Sequence, residues 1–201
     1  MAFLRQAGRL KTLPRQGWVD REIPAPESVA DHLYRTALMA WVLGEQAGLD
    51  TNRLLKLVLI HDLPEALAGD ATPYDPLVEQ GMERSAAALR WRELLDQDAI
   101  EDAKLKKDQR ETDALLELSA LLPATLNAEL RELWADYVER RSPEAQFAAQ
   151  VDKLEAFLQA IEYEAAGHAA DLENFFQNAD VELTHPLLRE LLATLQSDAQ
   201  G

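Results

Sequence analysis

The chain contains no cysteine, which excludes disulfide bonds, zinc fingers and thiol catalysis. It also lacks any run of about 18 apolar residues, the length that a membrane-spanning helix requires, so we expect no membrane partner. Its first residues, MAFLRQAGRLKTLPRQ, lack the apolar stretch of a signal peptide. From these absences we expect a cytoplasmic protein.

Basic residues are scarce. Lys and Arg number 20 against 36 Asp and Glu, which gives a formal net charge of −16. A surface of this sign repels the phosphate backbone, so we expect no nucleic-acid partner. A small anionic substrate is not excluded, because a bound metal ion and a few arginines reverse the sign of the charge locally.

Glycine and proline are also few, at eight and nine residues, whereas Ala, Leu and Glu are abundant. This composition favours helices, and no stretch shows a convincing strand pattern. A length of 201 residues with 47% hydrophobic residues is typical of one domain with a real core. We therefore predict an all-α, single-domain protein over residues 1–201.

The stretch Leu54–Asp70, LLKLVLIHDLPEALAGD, draws attention first. Its apolar start predicts a buried central helix, capped by Thr51 or Asn52. Pro64 should end or restart that helix around His61–Pro64. His61 and Asp62 are costly to bury without partners, and a divalent metal ion would offset that cost. The alternative is a hydrogen-bonded core histidine beside a capping aspartate.

Two other helices carry candidate ligands. Ser28 and Asp31 form a capping-box pattern that places His32 in the first turn of a helix. The run Ser142-Pro143-Glu144 predicts the start of a second helix, which continues to about Ala166. Asp152 lies at the flank of its apolar stripe, where an isolated aspartate is usually only solvated.

The segment 13–26, LPRQGWVDREIPAP, predicts a loop because it holds three prolines and a glycine. Arg15, Trp18 and Arg21 give it two interpretations. Trp18 packs on the core as part of a covering strap, or the aromatic face and the guanidinium groups form a wall for a base or sugar and a phosphate. This stretch alone leaves both open.

Four segments together resemble a known family. The strings RQGWVDR at 15–21, PESVADH at 26–32, HDLPEALAGD at 61–70 and VDKLEAFLQAIEYE at 151–164 are similar to those of HD-domain metal-dependent phosphohydrolases, and specifically their small 5′-deoxynucleotidase branch. The resemblance implies an all-helical HD-domain bundle and a homodimer. Relative to compact relatives, residues of about 75–102 form a charged helical insertion, which serves as a lid, a dimer contact or neither.

The resemblance also implies a site. One divalent transition metal ion (Mn, Co, Fe, Ni or Zn) is expected on His32, His61, Asp62 and Asp152, and the chain's four histidines do not suffice for a larger cluster. Glu65 is expected to orient or deprotonate the attacking water or to donate a proton, and Asp70 to hold the nucleophile or the substrate. Substrate contacts are expected from Arg15, Trp18, Asp70 and Thr72. Gly17 stands where the bacterial nucleotidase has an arginine, so phosphate binding by Arg15 departs from the family pattern.

The expected activity is removal of phosphate from deoxynucleoside 5′-monophosphates. Two alternatives remain: an HD phosphohydrolase that acts on a triphosphate, an alarmone or another phosphomonoester, and a non-catalytic HD scaffold. Scarce basic residues disfavour longer polyphosphates, and the intact ligand set disfavours a scaffold.

Overall fold

The computed structural model describes residues 1–200, and within that range the protein is all-α, as predicted. The only extended pairing among these residues is an isolated bridge between Pro14 and Ser28. A 3-10 turn spans Gly8–Lys11. The α-helices are α1 (Ala2–Ala7), α2 (Gln16–Val19), α3 (Val29–Ala47), α4 (Thr51–Ile60), α5 (Glu65–Ala68), α6 (Asp75–Glu79), α7 (Arg84–Leu94), α8 (Gln97–Ser119), α9 (Ala124–Glu139), α10 (Pro143–Ala165), α11 (Leu172–Glu182) and α12 (Pro186–Gln200).

The chain forms two compact units, and each is built from two separate stretches. The first unit combines Met1–Ala30 with Leu63–Arg131. The second combines Asp31–Asp62 with the chain from Glu132 onward. Among residues 1–200, no helix is both long enough and apolar enough to cross a bilayer. The single-domain organisation stays a prediction.

In the second unit, α10 is the central helix, and α4, α11 and α12 pack against it. Its buried side chains include Phe147, Val151, Leu154 and Phe157. We predicted that the helix containing residues 54–60 is the buried central helix, and this was wrong. The central helix is α10, whereas α4 buries only part of its surface and leaves Leu59 53% exposed. Helices α3 and α4 approach closely at Gly44, where an added Cβ would lie 2.5 Å from Leu54 Cδ2.

The ends of α4 follow local chemistry. Its N-cap is Asp50, whose side chain accepts a hydrogen bond from the Arg53 N–H at 3.1 Å. The prediction of Thr51 or Asn52 was therefore wrong, although by only one or two positions. The predicted break is confirmed: α4 ends at Ile60, and the chain resumes as a helix at Glu65, directly after Pro64.

The start of α10 is also confirmed. The Ser142 side chain accepts from the Ala145 N–H, and Pro143 occupies the first helical position. The buried Asp136 supports this turn, because it accepts from both the N–H and the hydroxyl of Ser142 at 2.8 and 2.7 Å. Arg53 donates to the same carboxylate from Nη2 at 2.5 Å. Asp136 thereby joins α4, α9 and the N-terminus of α10.

In the first unit, the charged segment of about 75–102 is helical and has its own small core. That core is built from buried side chains of α6, α7 and the residues next to them: Tyr74, Leu77, Ala87, Ala88, Trp91 and Leu95. Asp20 ties the segment to the N-terminal stretch, since it accepts from the Tyr74 hydroxyl at 3.0 Å and from Arg84 at 3.2 Å. The stretch 13–26 was predicted as a loop, but it includes the one-turn helix α2.

Candidate active site

Three elements of the second unit bring together the four predicted metal ligands. His32 lies in the first turn of α3, His61 and Asp62 directly follow the last residue of α4, and Asp152 is in the middle of α10. All four side chains are buried. Asp152 was predicted at the flank of an apolar stripe, and the structure places it 7% exposed, beside both imidazoles.

The donor atoms of these residues converge. His32 Nε2 lies 3.1 Å from Asp152 Oδ1 and 3.4 Å from His61 Nε2. His61 Nε2 lies 3.3 Å from Asp62 Oδ2. Two longer separations, His32 to Asp62 and His61 to Asp152, are both 3.7 Å. Ligand atoms at about 2.0–2.2 Å from one ion lie about 3.0–3.6 Å from each other. His32, His61 and Asp62 form a buried group whose donor atoms fit one divalent metal ion, and Asp152 Oδ1 lies beside both imidazoles of that group.

Both imidazoles present the same nitrogen to this cluster. His61 Nδ1 lies 2.7 Å from the carbonyl oxygen of Val58, which can only accept. Nδ1 therefore carries a proton, and Nε2 is the nitrogen that faces the cluster and can bind a metal ion in the neutral ring. His32 achieves the same with a different partner, because its Nδ1 is hydrogen-bonded to Glu155 Oε2.

The electrostatics of the cluster attract positive charge. Burial on its own lowers the pKa of His61, but the neighbouring Asp62, Tyr137 and Asp152 outweigh burial and raise that pKa well above its usual value. Burial likewise raises the pKa of Asp152, yet Lys153 and the two histidines lower it well below its usual value. A cation bound among two imidazoles and two carboxylates satisfies the same demand.

Three residues near the cluster were missed by sequence reasoning. Lys153 Nζ lies 2.9 Å from Asp152 Oδ2, which leaves Oδ1 facing the histidines. Glu155 is fully buried behind His32, and Arg35 donates to it from Nε at 2.8 Å. Burial raises the pKa of Glu155, but His32 and Arg35 together lower it below its usual value. The spacing of three residues from His32 to Arg35 and from Asp152 to Glu155 was the available signal.

The remaining candidates belong to the first unit. Asp70 Oδ2 accepts from the backbone N–H of Gln16 at 2.7 Å, which holds the turn of α2 next to Arg15. Trp18 is 3% exposed, and its indole N–H donates to Glu27 Oε1 at 2.9 Å. Thr72 donates from its hydroxyl to Asp75 Oδ1 at 2.7 Å.

Glu65, the first residue of α5, is 1% exposed and lies three positions after Asp62 in the chain. Lys107 of α8 reaches it, with Nζ 3.6 Å from Glu65 Oε1 and 3.3 Å from Glu111 Oε1. The same ammonium group donates to the carbonyl oxygen of Ala71 at 3.2 Å. Lys107 is thus a partner of two buried carboxylates.

Comparisons with known proteins agree with this geometry. A family model described as HD domain matches residues 7–191. The 5′-deoxynucleotidase HDDC2 of Homo sapiens is 35% identical and covers 98% of this chain and 85% of its own length. A conserved hypothetical protein from Pyrococcus furiosus, 28% identical, superposes with a TM-score of 0.69 and covers 98% of each chain. A protein from Magnetospirillum magnetotacticum, described as a predicted metal-dependent phosphohydrolase, superposes with a TM-score of 0.64 at 25% identity and covers 99% of this chain and 90% of its own.

Substitution of one cluster residue should remove the metal ion. We expect His61→Ala and Asp62→Ala each to abolish stoichiometric metal binding, because His32 and His61 are the histidines that the described residues bring to this cluster, and no third one stands in reserve there. Elemental analysis of the purified variants measures the loss. His168→Ala is the matched control, since that ring packs on Tyr163 and its removal should leave the metal in place. Full occupancy in either cluster variant contradicts the ligand assignment.

Proposed function

This chain belongs to the HD-domain family, and from that premise we propose that it is a metal-dependent phosphohydrolase that removes phosphate from deoxynucleoside 5′-monophosphates. The observation that carries the proposal is the convergence of two imidazoles and two carboxylates in a buried cluster. The name of the human relative, a 5′-deoxynucleotidase of similar length, supports the substrate class.

The metal ion is proposed to be a single divalent transition ion held by His32, His61, Asp62 and Asp152. When bound, it supplies Lewis-acid polarisation of a phosphate oxygen and lowers the pKa of coordinated water. Two imidazoles and two carboxylates suit Mn, Fe, Co, Ni or Zn. Lys153 and Glu155 keep one Asp152 oxygen and the His32 Nε2 directed at the cluster, because each occupies the opposite side of its partner.

We assign the proton transfer to Glu65. A carboxylate can orient and deprotonate water or donate a proton to the leaving oxygen. Glu65 is 1% exposed, and the Lys107 ammonium group lies 3.6 Å from its Oε1. Asp70 is assigned to hold the nucleophile or the substrate through its remaining acceptor capacity, since the Gln16 N–H occupies one site on Oδ2.

Substrate contacts are proposed for Arg15, Trp18, Asp70 and Thr72. The hydrogen bond from the Gln16 N–H to Asp70 supports a shared role for the stretch around Arg15 and for Asp70. The Trp18 indole N–H donates to Glu27 Oε1, so the contact proposed between Trp18 and a sugar is made by the ring and not by the N–H. A ring of this kind discriminates by shape.

The homodimer also stays a prediction, which light scattering on the purified protein will test. Supporting it, the exposed face of α3 carries an apolar stripe at helical spacing. Its members are at least 41% exposed: Tyr34, Leu38, Trp41 and Val42. Exposed apolar patches of this kind are commonly interaction sites.

A matrix of metal ions and nucleotides on the purified protein tests the activity. We expect inorganic phosphate, without pyrophosphate, from deoxynucleoside 5′-monophosphates, with activity that is lost on chelation and restored by one of the five metal ions. The kcat/KM for a deoxynucleotide should exceed that for the matching ribonucleotide by about a hundredfold, which is the usual limit when a pocket rejects an added hydroxyl by shape. Release of pyrophosphate from triphosphates would favour the alternative phosphohydrolase, and inactivity of a metal-loaded protein would favour a scaffold.

Replacement of Glu65 should separate chemistry from metal binding. Glu65→Gln keeps the size of the side chain but cannot exchange a proton, so kcat should fall by about 10²–10⁴ with unchanged metal content. Glu111→Gln is the matched control, because it alters the other carboxylate near Lys107 and should retain activity within a few fold. A decrease of less than about tenfold for Glu65→Gln would exclude the proposed role.

Replacement of Trp18 tests how deoxyribose is selected. If the ring excludes the 2′-hydroxyl by volume, Trp18→Ala should lower the ratio of kcat/KM between deoxynucleotide and ribonucleotide. The ratio should fall mainly because kcat/KM for the ribonucleotide rises. Trp91→Ala is the control, because it removes a buried tryptophan from the core of α6 and α7. A lower melting temperature with an unchanged preference would instead show that Trp18 only packs on the core.

A further inference from the structure

Glu155 occupies an unusual place for an acidic residue. It lies on α10, one turn after Asp152, and its side chain is completely buried. One carboxylate oxygen, Oε2, is hydrogen-bonded to His32 Nδ1, and the other, Oε1, accepts from Arg35 Nε at 2.8 Å. The carboxylate therefore has a fixed partner on each oxygen and cannot rotate without losing one of them.

Arg35 is in turn held by three side chains of α10. Its Nη2 donates to Gln159 Oε1 at 2.7 Å, and its Nη1 donates to Glu162 Oε2 at 2.5 Å. With Glu155, these acceptors lie at positions i, i+4 and i+7 of α10, which share one helical face. Because guanidinium is planar, three contacts fix both its position and its plane.

His32 and His61 differ in what holds them. The Nδ1 partner of His61 is a backbone carbonyl oxygen, which no substitution at that position removes. The Nδ1 partner of His32 is the Glu155 side chain. A carboxylate that accepts from Arg35 on one oxygen can only accept on the other, so Nδ1 of His32 carries a proton, and in the neutral ring Nε2 is then the nitrogen with the lone pair.

We propose that Glu155 is a positioning residue that fixes His32 in the tautomer able to bind the metal ion through Nε2, and that Arg35 imposes this role by orienting the carboxylate. The proposal rests on the metal-dependent function proposed above. Hydrogen-bonded partners of ligating histidines commonly contribute about 10–100-fold to metal affinity. Glu155 is not itself placed as a ligand of the same ion, since the His32 ring lies between it and the other donors.

The substitution Glu155→Gln tests whether Glu155 sets the tautomer of His32. Arg35 has only donors, so the amide oxygen of the introduced side chain should face Arg35, and its amide NH₂ should face His32 Nδ1. A donor at that position requires a lone pair on Nδ1, which moves the imidazole proton to Nε2. The isosteric change should therefore invert the tautomer and block the ligand atom.

Removal of Arg35 should reverse this effect. In the double variant Arg35→Met with Glu155→Gln, the amide is able to turn its oxygen towards His32, which restores the proton to Nδ1. If the Arg35–Glu155 pair has only a structural role, the double variant should bind Co²⁺ more weakly than either single variant. Glu162→Gln is the matched control, because it changes an exposed partner of Arg35 and leaves Glu155 in place.

The tautomer is read in the metal-free protein, at a pH high enough for both imidazoles to be neutral, from long-range ¹H–¹⁵N correlations of the rings, with His32 assigned by a His32→Asn variant. Metal affinity is measured with Co²⁺ in competition with a chelator. We expect wild type and Glu162→Gln to show Nδ1–H, and Glu155→Gln to show Nε2–H with affinity about 10–100-fold lower. The double variant should recover most of the Nδ1–H signal and most of the Co²⁺ affinity.

An Nδ1–H signal in folded Glu155→Gln overturns the proposal, and so does a double variant that binds Co²⁺ more weakly than Glu155→Gln. Circular dichroism monitors folding. If Glu155→Gln does not fold, Glu155→Asp replaces it, and an unchanged Co²⁺ affinity in that shortened carboxylate overturns the proposal. Absence of Co²⁺ binding to wild type counts against the proposed function instead, because the tautomer is read without metal.

Discussion

Two buried carboxylates share one small volume of the second unit with two buried imidazoles, and the need of the carboxylates for positive charge constrains the side chains around them. In a medium of low polarity, like charges without a cation cost several kcal/mol per ion. Two basic side chains near the cluster supply part of this positive charge. Lys153 occupies the outer oxygen of Asp152, and Arg35 reaches His32 through Glu155. The remaining donor atoms are directed inward, where a divalent ion fits.

This constraint explains the character of α10. Most of its buried face is apolar, yet Asp152 and Glu155 interrupt that face one turn apart. Either carboxylate would be destabilising in a helix that served only packing. Both persist because each has charged or hydrogen-bonded partners on two sides. The helix therefore serves as the core of its unit and as the support of the site at once.

Features that depend on local chemistry were predictable from the sequence. The cap at Ser142, the break before Glu65 and the all-α class follow from neighbouring residues, and each is present. The convergence of His32, His61, Asp62 and Asp152 came from resemblance, since no local rule connects residues so far apart. The roles of Arg35 and Glu155 were missed because they depend on a contact between two residues that lie 120 positions apart in the chain. Trp18 stayed ambiguous, because a buried aromatic ring suits both packing and recognition.

The order of the chain has a consequence for how the protein is made. His32 and Glu155 are separated by 123 positions, and the second stretch of the first unit, Leu63–Arg131, is synthesised between them. On the ribosome, His32, His61 and Asp62 therefore emerge well before Asp152 and Glu155, the two carboxylates of α10. Contacts of such long range form late, after the entropy of closing a large loop has been overcome. A nascent chain that stops before α10 therefore presents the two imidazoles and Asp62 without Asp152 and Glu155.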